Sequence, residues 1–155
     1  MASQDPCRVA VVDDNPLFRQ GLRQILDGKD DLKIVGEAGD GLEFLLLLKE
    51  LLPDLVILDI AMPTLKGIET LRQVKMKYPG MKVLILTMHK EREYLLAAIR
   101  AGADGYVLKE DAGEVLFSAI DTIRHGTGFI SPILLQELEQ SNKPLFQALK
   151  FIAND

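Results

Sequence analysis

Five short apolar runs, each followed by a stretch with helical spacing, constrain this chain more than any other feature. The runs occupy residues 9–12, 32–38, 55–58, 82–86 and 106–108. Val9-Ala-Val-Val12 and Leu55-Val-Ile-Leu58 are unbroken, the pattern of strands buried on both faces; the run at 32–38 alternates less cleanly. After the first run, Asn15 suits an N-cap and Pro16 the first helical position. Leu17, Phe18, Leu22, Ile25 and Leu26 then predict one apolar helix face, ending at Asp27-Gly28. Asp40 and Glu43 form a capping box for a second helix, predicted to reach about Leu52, before Pro53. Ile68, Leu71 and Val74 mark a third helix, closed by Tyr78-Pro79-Gly80. Leu95, Ala98 and Ile99 mark a fourth, over residues 91–101. Asp111 and Glu114 read as a second capping box, opening a fifth helix with Val115, Leu116, Ala119, Ile120 and Ile123 on its apolar side.

Strand and helix alternate five times, which favours a parallel sheet covered on both faces. Right-handed crossovers leave few topologies. The expected fold is α/β and flavodoxin-like, a five-stranded parallel sheet in the order 2-1-3-4-5. Ligands of such sheets bind beyond the carboxyl ends of the strands. Here those ends carry Asp13 and Asp14, then Asp59, Thr87 and Lys109. Carboxylates gathered at one rim repel one another unless a cation compensates, and Mg²⁺ prefers carboxylate and carbonyl oxygens. A lysine ammonium and a threonine hydroxyl add donors for an anion. Nucleophilic carboxylate, metal and oxygen-binding donors together are what carboxylate phosphorylation requires.

The 155 residues suit one domain with a short appendage, and 48% apolar with 26% charged content is that of a globular chain. A net charge of −5 without a basic run argues against direct nucleic-acid binding. Cys7 is the single cysteine, which excludes an intramolecular disulfide and a thiolate zinc cluster. The first residues have neither the basic segment nor the apolar core of a signal peptide, and no stretch reaches transmembrane length. A cytoplasmic protein with no membrane partner is expected. Gly36, Gly39 and Gly41 have the wrong spacing and place for a dinucleotide fingerprint, so no nucleotide cofactor is expected. His89 reads as a solvated surface residue. Among the leucines of 44–48 the extra ones read as scattered exposed residues rather than a contact patch.

The stretches Val11-Val-Asp-Asp-Asn-Pro-Leu-Phe-Arg19, Pro53-Asp-Leu-Val-Ile-Leu-Asp-Ile-Ala-Met-Pro63, Val83-Leu-Ile-Leu-Thr87 and Ala101-Gly-Ala-Asp-Gly-Tyr-Val-Leu-Lys109 carry a resemblance. Over residues 7–128 the chain resembles the CheY-like receiver domain of two-component response regulators, of the NarL/FixJ type. The resemblance implies that Asp59 accepts a phosphoryl group from a sensor histidine kinase. It implies Mg²⁺ bound by Asp14, by Asp13 through water, by Asp59 and by the backbone carbonyl of Ala61. Lys109 and Thr87 would hold the phosphoryl oxygens, and Tyr106 would be an aromatic switch residue moving with Thr87. Such a domain catalyses only its own phosphorylation and dephosphorylation, and dimerises on phosphorylation. One departure is Glu110, where many receivers have a proline after the lysine, often with a cis bond.

Residues 129–155 are expected to extend toward a LuxR-type DNA-binding output domain absent from this chain, itself expected to be a piece of a longer protein. A short helix is predicted over 133–138, a linker over 139–144 and an apolar segment over 145–153. DNA contact would come only through the output domain. Two rivals remain: an interaction module that never takes phosphate and acts through its leucine-rich second helix, and a small-molecule phosphotransferase using Asp59.

Overall fold

The computed structural model describes residues 5–61 and 67–141. In chain order the elements are β1 (Cys7–Val12), α1 (Pro16–Asp27), β2 (Leu32–Ala38), α2 (Gly41–Leu47), β3 (Leu55–Leu58), α3 (Gly67–Lys77), β4 (Lys82–Thr87), α4 (Arg92–Arg100), β5 (Gly105–Leu108), α5 (Ala112–Arg124), β6 (Phe129–Ile130) and α6 (Pro132–Ser141), with a one-turn 3₁₀ segment at Lys109–Asp111. The strands form one parallel sheet in the order β2-β1-β3-β4-β5-β6. The expected order is kept and a sixth strand is added. Two residues are too few to show a period, so β6 is invisible in the sequence.

Alternation along the strands divides the core in two. Ala10, Val12, Val56, Leu58, Val83, Ile85, Tyr106 and Leu108 meet Phe44, Leu71, Val74, Leu95 and Ala98 of α2, α3 and α4 on one face. Val9, Val11, Leu55, Ile57, Leu84, Leu86 and Val107 meet Leu22 and Leu26 of α1 and Leu116, Ala119, Ile120 and Ile123 of α5 on the other. Each fully buried valine, leucine, isoleucine or phenylalanine among them contributes about 1.5–3 kcal/mol. The uneven alternation of β2 has a physical cause: its pairing with β1 slips, from Val9 opposite Ile34 to Ala10 opposite Gly36.

Several local expectations are corrected. Leu17 and Ile25 of α1 point to solvent, 78% and 42% exposed, so Leu22 and Leu26 carry its packing. α2 stops at Leu47 rather than near Leu52, because Lys49 and Glu50 donate three residues back, to Leu46 and Leu47, and tighten the turn. Leu42 and Leu46 are exposed while Phe44 and Leu48 are buried. Half of the first capping box forms, Asp40 accepting from Glu43 N–H; the Glu43 carboxylate reaches one residue past the cap and accepts from Gly39 N–H. The second does not form: Asp111 caps nothing in α5 and turns toward Ser131. The helix predicted over 133–138 is α6, longer at both ends, so residues 139–141 of the expected linker are helical. Residues 142–155, with the rest of that linker and the apolar segment, lie outside the described residues, as do Met62 and Pro63. Every described peptide bond is trans, the Lys109–Glu110 bond included.

Candidate functional site

Strand register brings the acidic residues together. Val12 pairs with Leu58, so the next residues, Asp13 and Asp59, stand side by side; Asp59 N–H donates to Val12 O at 3.0 Å and Asp13 N–H to Ala38 O at 3.1 Å. Thr87 pairs with Leu108, which puts Lys109 just beyond. Alternation along each strand then sorts the groups. Asp13, Asp59 and Lys109 continue the alternation of Val9 and Val11, Leu55 and Ile57, and Val107 that faces α1 and α5, whereas Thr87 continues that of Val83 and Ile85 and lies with Tyr106 on the opposite face, toward α4.

Oxygens of Asp13, Asp14 and Asp59 lie within 4.8 Å of one another. Asp13 and Asp59 are buried, 2% and 6% exposed, and Asp14 is exposed. Lys109 Nζ bridges the buried pair, 2.8 Å from Asp13 Oδ2 and 3.2 Å from Asp59 Oδ2. The ammonium also sits 4.1 Å from the centroid of the Phe18 ring, a cation–π contact from α1. Backbone donors take the other oxygens: Asn15 N–H reaches Asp13 Oδ1 at 2.8 Å and Ala61 N–H reaches Asp59 Oδ1 at 3.0 Å. Arg19 Nη1 donates to the Asp13 carbonyl.

Burial raises the Asp13 carboxyl above its usual range, against the pull of Lys109 and the Asn15 N–H. Burial alone would lower the Lys109 ammonium; Asp13 and Asp59 outweigh it, and the net displacement is upward. The cluster of three carboxylates is a donor set that could hold a hard divalent cation.

On the other face, Thr87 is fully buried and its hydroxyl accepts from His89 N–H at 3.4 Å. Tyr106 is 1% exposed, and its hydroxyl donates to His89 O at 2.8 Å. Burial, then the negative charge of Glu91 and Asp59, pushes the phenol strongly upward. His89, read from sequence as solvated, is half-buried. Its ring stacks on Tyr94 with centroids 4.0 Å apart, and Nδ1 lies 3.4 Å from Glu91 Oε2. Sequence reasoning missed it because its one long-range contact, from the Tyr106 hydroxyl, is made to its backbone carbonyl, which carries no side-chain signal. Glu110 pairs with Lys90 at 2.8 Å, tying the loop after β4 to the turn after β5.

An apolar hollow of about 340 Å³ between Phe18, Met88, Leu108, Lys109 and Glu110 opens beside the cluster. A larger one, about 480 Å³, lies at the opposite end of the sheet, where Cys7, Leu55 and Lys82 begin their strands, far from the carboxylates. Burial raises the Cys7 thiol there. No helix among the described residues is long and apolar enough to cross a membrane.

A doubly wound parallel sheet with carboxylates and an ammonium at its carboxyl rim defines an α/β protein of the class whose ligands bind beyond the strand ends. Residues 9–121 match the family model for the response regulator receiver domain, and the chain belongs to that family. It is 40% identical over 124 residues to the uncharacterized transcriptional regulatory protein YxjL of Bacillus subtilis, covering 80% of this chain and 57% of that protein. It is 33% identical to the nitrate/nitrite response regulator protein NarL of Escherichia coli K12, covering 91% and 65%. A crystal structure of a LuxR-family two-component response regulator from Aurantimonas sp. SI85-9A1 superposes with a TM-score of 0.82 at 36% identity, covering 88% of this chain and 98% of that one. The relatives are of the LuxR/NarL type, and this chain spans less than two thirds of the length of YxjL and NarL.

Proposed function

We propose that this chain is the phosphoacceptor receiver of a two-component response regulator, with Asp59 as the acceptor. A carboxylate oxygen of Asp59 attacks the phosphorus of a phosphohistidine on a sensor histidine kinase. The P–N bond breaks, the imidazole leaves with its electron pair, and an acyl phosphate forms. The single observation that carries the reading is Lys109 bridging the buried Asp13 and Asp59 within an acidic cluster. The donor set fits Mg²⁺: Asp13, Asp14 and Asp59 would hold it, with the Ala61 carbonyl. Bound there, it would neutralise charge on the transferred group.

Asp59 is positioned by its strand end and by Ala61 N–H. Lys109 and the Thr87 hydroxyl are the donors assigned to the phosphoryl oxygens. The new group adds a charge of about −1.5 to −2. Charge-assisted hydrogen bonds at roughly 1.5–3 kcal/mol each reach the 5.5 kcal/mol or so that inverts a 1:99 population. Tyr106 and Thr87, joined through His89, are the groups by which the β4–α4 loop would respond. The readout is homodimerisation in the cytoplasm, controlling transcription through a DNA-binding domain beyond this chain. Residues 7–128 are the receiver and 129–155 the extension.

Incubation with acetyl phosphate and Mg²⁺, followed by intact mass measurement, tests the acceptor. The expected result is a gain of one phosphoryl group, abolished in Asp59→Asn. A wild type that never gains mass, or a variant labelled at full level, would overturn the assignment.

A further inference from the structure

One hydroxyl brackets the residue that carries the ammonium. Ser131, fully buried at the junction of β6 and α6, accepts from Leu108 N–H at 2.9 Å and donates to Asp111 Oδ1 at 2.9 Å. Leu108 precedes Lys109 and Asp111 follows it by two, so the Lys109 turn is held at both ends by a residue of the C-terminal extension. The backbone of Ser131 continues the connection. Its N–H donates to Tyr106 O at 2.9 Å, and its carbonyl accepts from Leu135 N–H at 3.0 Å, in the first turn of α6. The next residue, Pro132, has no N–H with which to extend the sheet. The Ser131 side chain therefore serves Leu108 where the β6 backbone has run out.

The contacts are buried. Asp111 is 5% exposed, and its second oxygen, Oδ2, is buried without a hydrogen-bond partner. A carboxylate so placed depends heavily on the donor it has, because a buried polar group left unpaired is strongly disfavoured. α6 is equally committed: Leu134 and Leu138, 1% and 5% exposed, enter the core shared by Tyr106, Leu95 and Ala98. A buried polar network of this kind moves as a unit or breaks; it does not stretch.

We propose that the Ser131–Asp111 pair is a coupling latch that positions the Lys109 turn and passes a displacement of Lys109 to α6. Its trigger rests on the reading of Asp59 as phosphoacceptor, since the acyl phosphate is what would draw Lys109. Ser131 touches no reacting group and acts as a positioning residue, so Asp59 stays competent without it.

Amide exchange over the full chain tests the latch, with beryllofluoride plus Mg²⁺ as one perturbation and Lys109→Ala as another. With Ser131 and Asp111 intact both change protection of residues 133–141 several-fold. In Ser131→Ala the α6 response to both is lost, while acetyl phosphate still labels Asp59. Asp111→Ala loses the response in the same way, and Asp111→Asn, which keeps an acceptor oxygen for Ser131, retains it. If Ser131→Ala does not fold, the two Asp111 variants decide. A response that persists in folded Ser131→Ala or Asp111→Ala overturns the latch, as does a wild-type α6 that answers neither perturbation. If acetyl phosphate leaves Asp59 unlabelled and beryllofluoride changes nothing, the phosphoacceptor reading has failed, and the Lys109→Ala arm still decides the latch.

Discussion

Lys109 Nζ lies 2.8 Å from Asp13 Oδ2, nearer than to Asp59, although β5 and β1 are separated in the sheet by β4 and β3. The ammonium is the counter-charge for two buried carboxylates, held from below by the Phe18 ring. A long stem is needed for that reach, and the sheet face it shares with Asp13 and Asp59 gives the direction.

Removing the charge but keeping the stem, Lys109→Met, leaves Asp13 and Asp59 facing each other uncompensated. Unfolding in urea with EDTA present is expected to show a loss of about 3 kcal/mol, the lower end for a broken buried pair. A change below about 0.5 kcal/mol, the size of an ordinary surface substitution, would show that the ammonium is not what neutralises the pair.

Asp14 is the exposed member of the cluster. Asp14→Ala is expected to change stability in EDTA by no more than about 0.5 kcal/mol. If Mg²⁺ binds there as proposed, a hundredfold excess over its dissociation constant is expected to stabilise the wild type by about 2.7 kcal/mol. Thermal unfolding with and without Mg²⁺ should show that gain shrinking sharply in the variant. An undiminished gain would place the cation elsewhere.

Gly67 opens α3 where its backbone passes over the strand-three end. A Cβ there would collide with Ile60 Cα and lie 2.5 Å from Asp59 O, both backbone atoms that cannot swing aside. Gly67→Ala should cost at least the 1–3 kcal/mol or so of an overpacked core. It should also slow acetyl-phosphate labelling, because the backbone forced to move carries Asp59. Normal labelling kinetics in the folded variant would show that the helix, not the strand end, gives way.

Tyr106→Phe removes the donor to His89 O, at a cost of about 1 kcal/mol near neutral pH. The pH dependence has a definite sign. Burial and nearby negative charge raise the folded-state phenol, so its contribution is fully present below about pH 10, the unfolded value, and is lost as pH rises beyond it. Wild-type stability should therefore fall more steeply than that of the variant above about pH 10. The tyrosinate absorbance that folded protein develops between about pH 9 and 11 should be the same with and without Tyr106. A smaller signal in Tyr106→Phe would mean that this hydroxyl ionises in the native state.

Local chemistry written in the sequence reached the fold directly where it depends on neighbours in the chain. Asn15 caps α1 with its side chain accepting from Leu17 and Phe18 N–H, and Pro16 fills the first helical position. The strand runs at 9–12 and 55–58 are buried along their whole length. Asp111 shows the limit. Its spacing to Glu114 is that of a capping box, yet the carboxylate goes to Ser131, twenty residues on, because a buried donor outcompetes a cap that water can serve.

The residues at the strand ends, the α/β alternation and the acidic rim were determined by sequence alone, since each follows from burial period and from where apolar runs stop. Register is different in kind. That Val12 stands opposite Leu58, that Lys109 chooses Asp13 as well as Asp59, and that Thr87 and Tyr106 meet on the backbone of His89 were decided only in three dimensions. So was β6, whose two residues earn their place from a hydroxyl and a hydrophobic helix behind them. The physical reason is range: hydrophobic periodicity acts along the chain, whereas hydrogen bonds and ion pairs a few ångströms long join segments that the sequence keeps tens of residues apart.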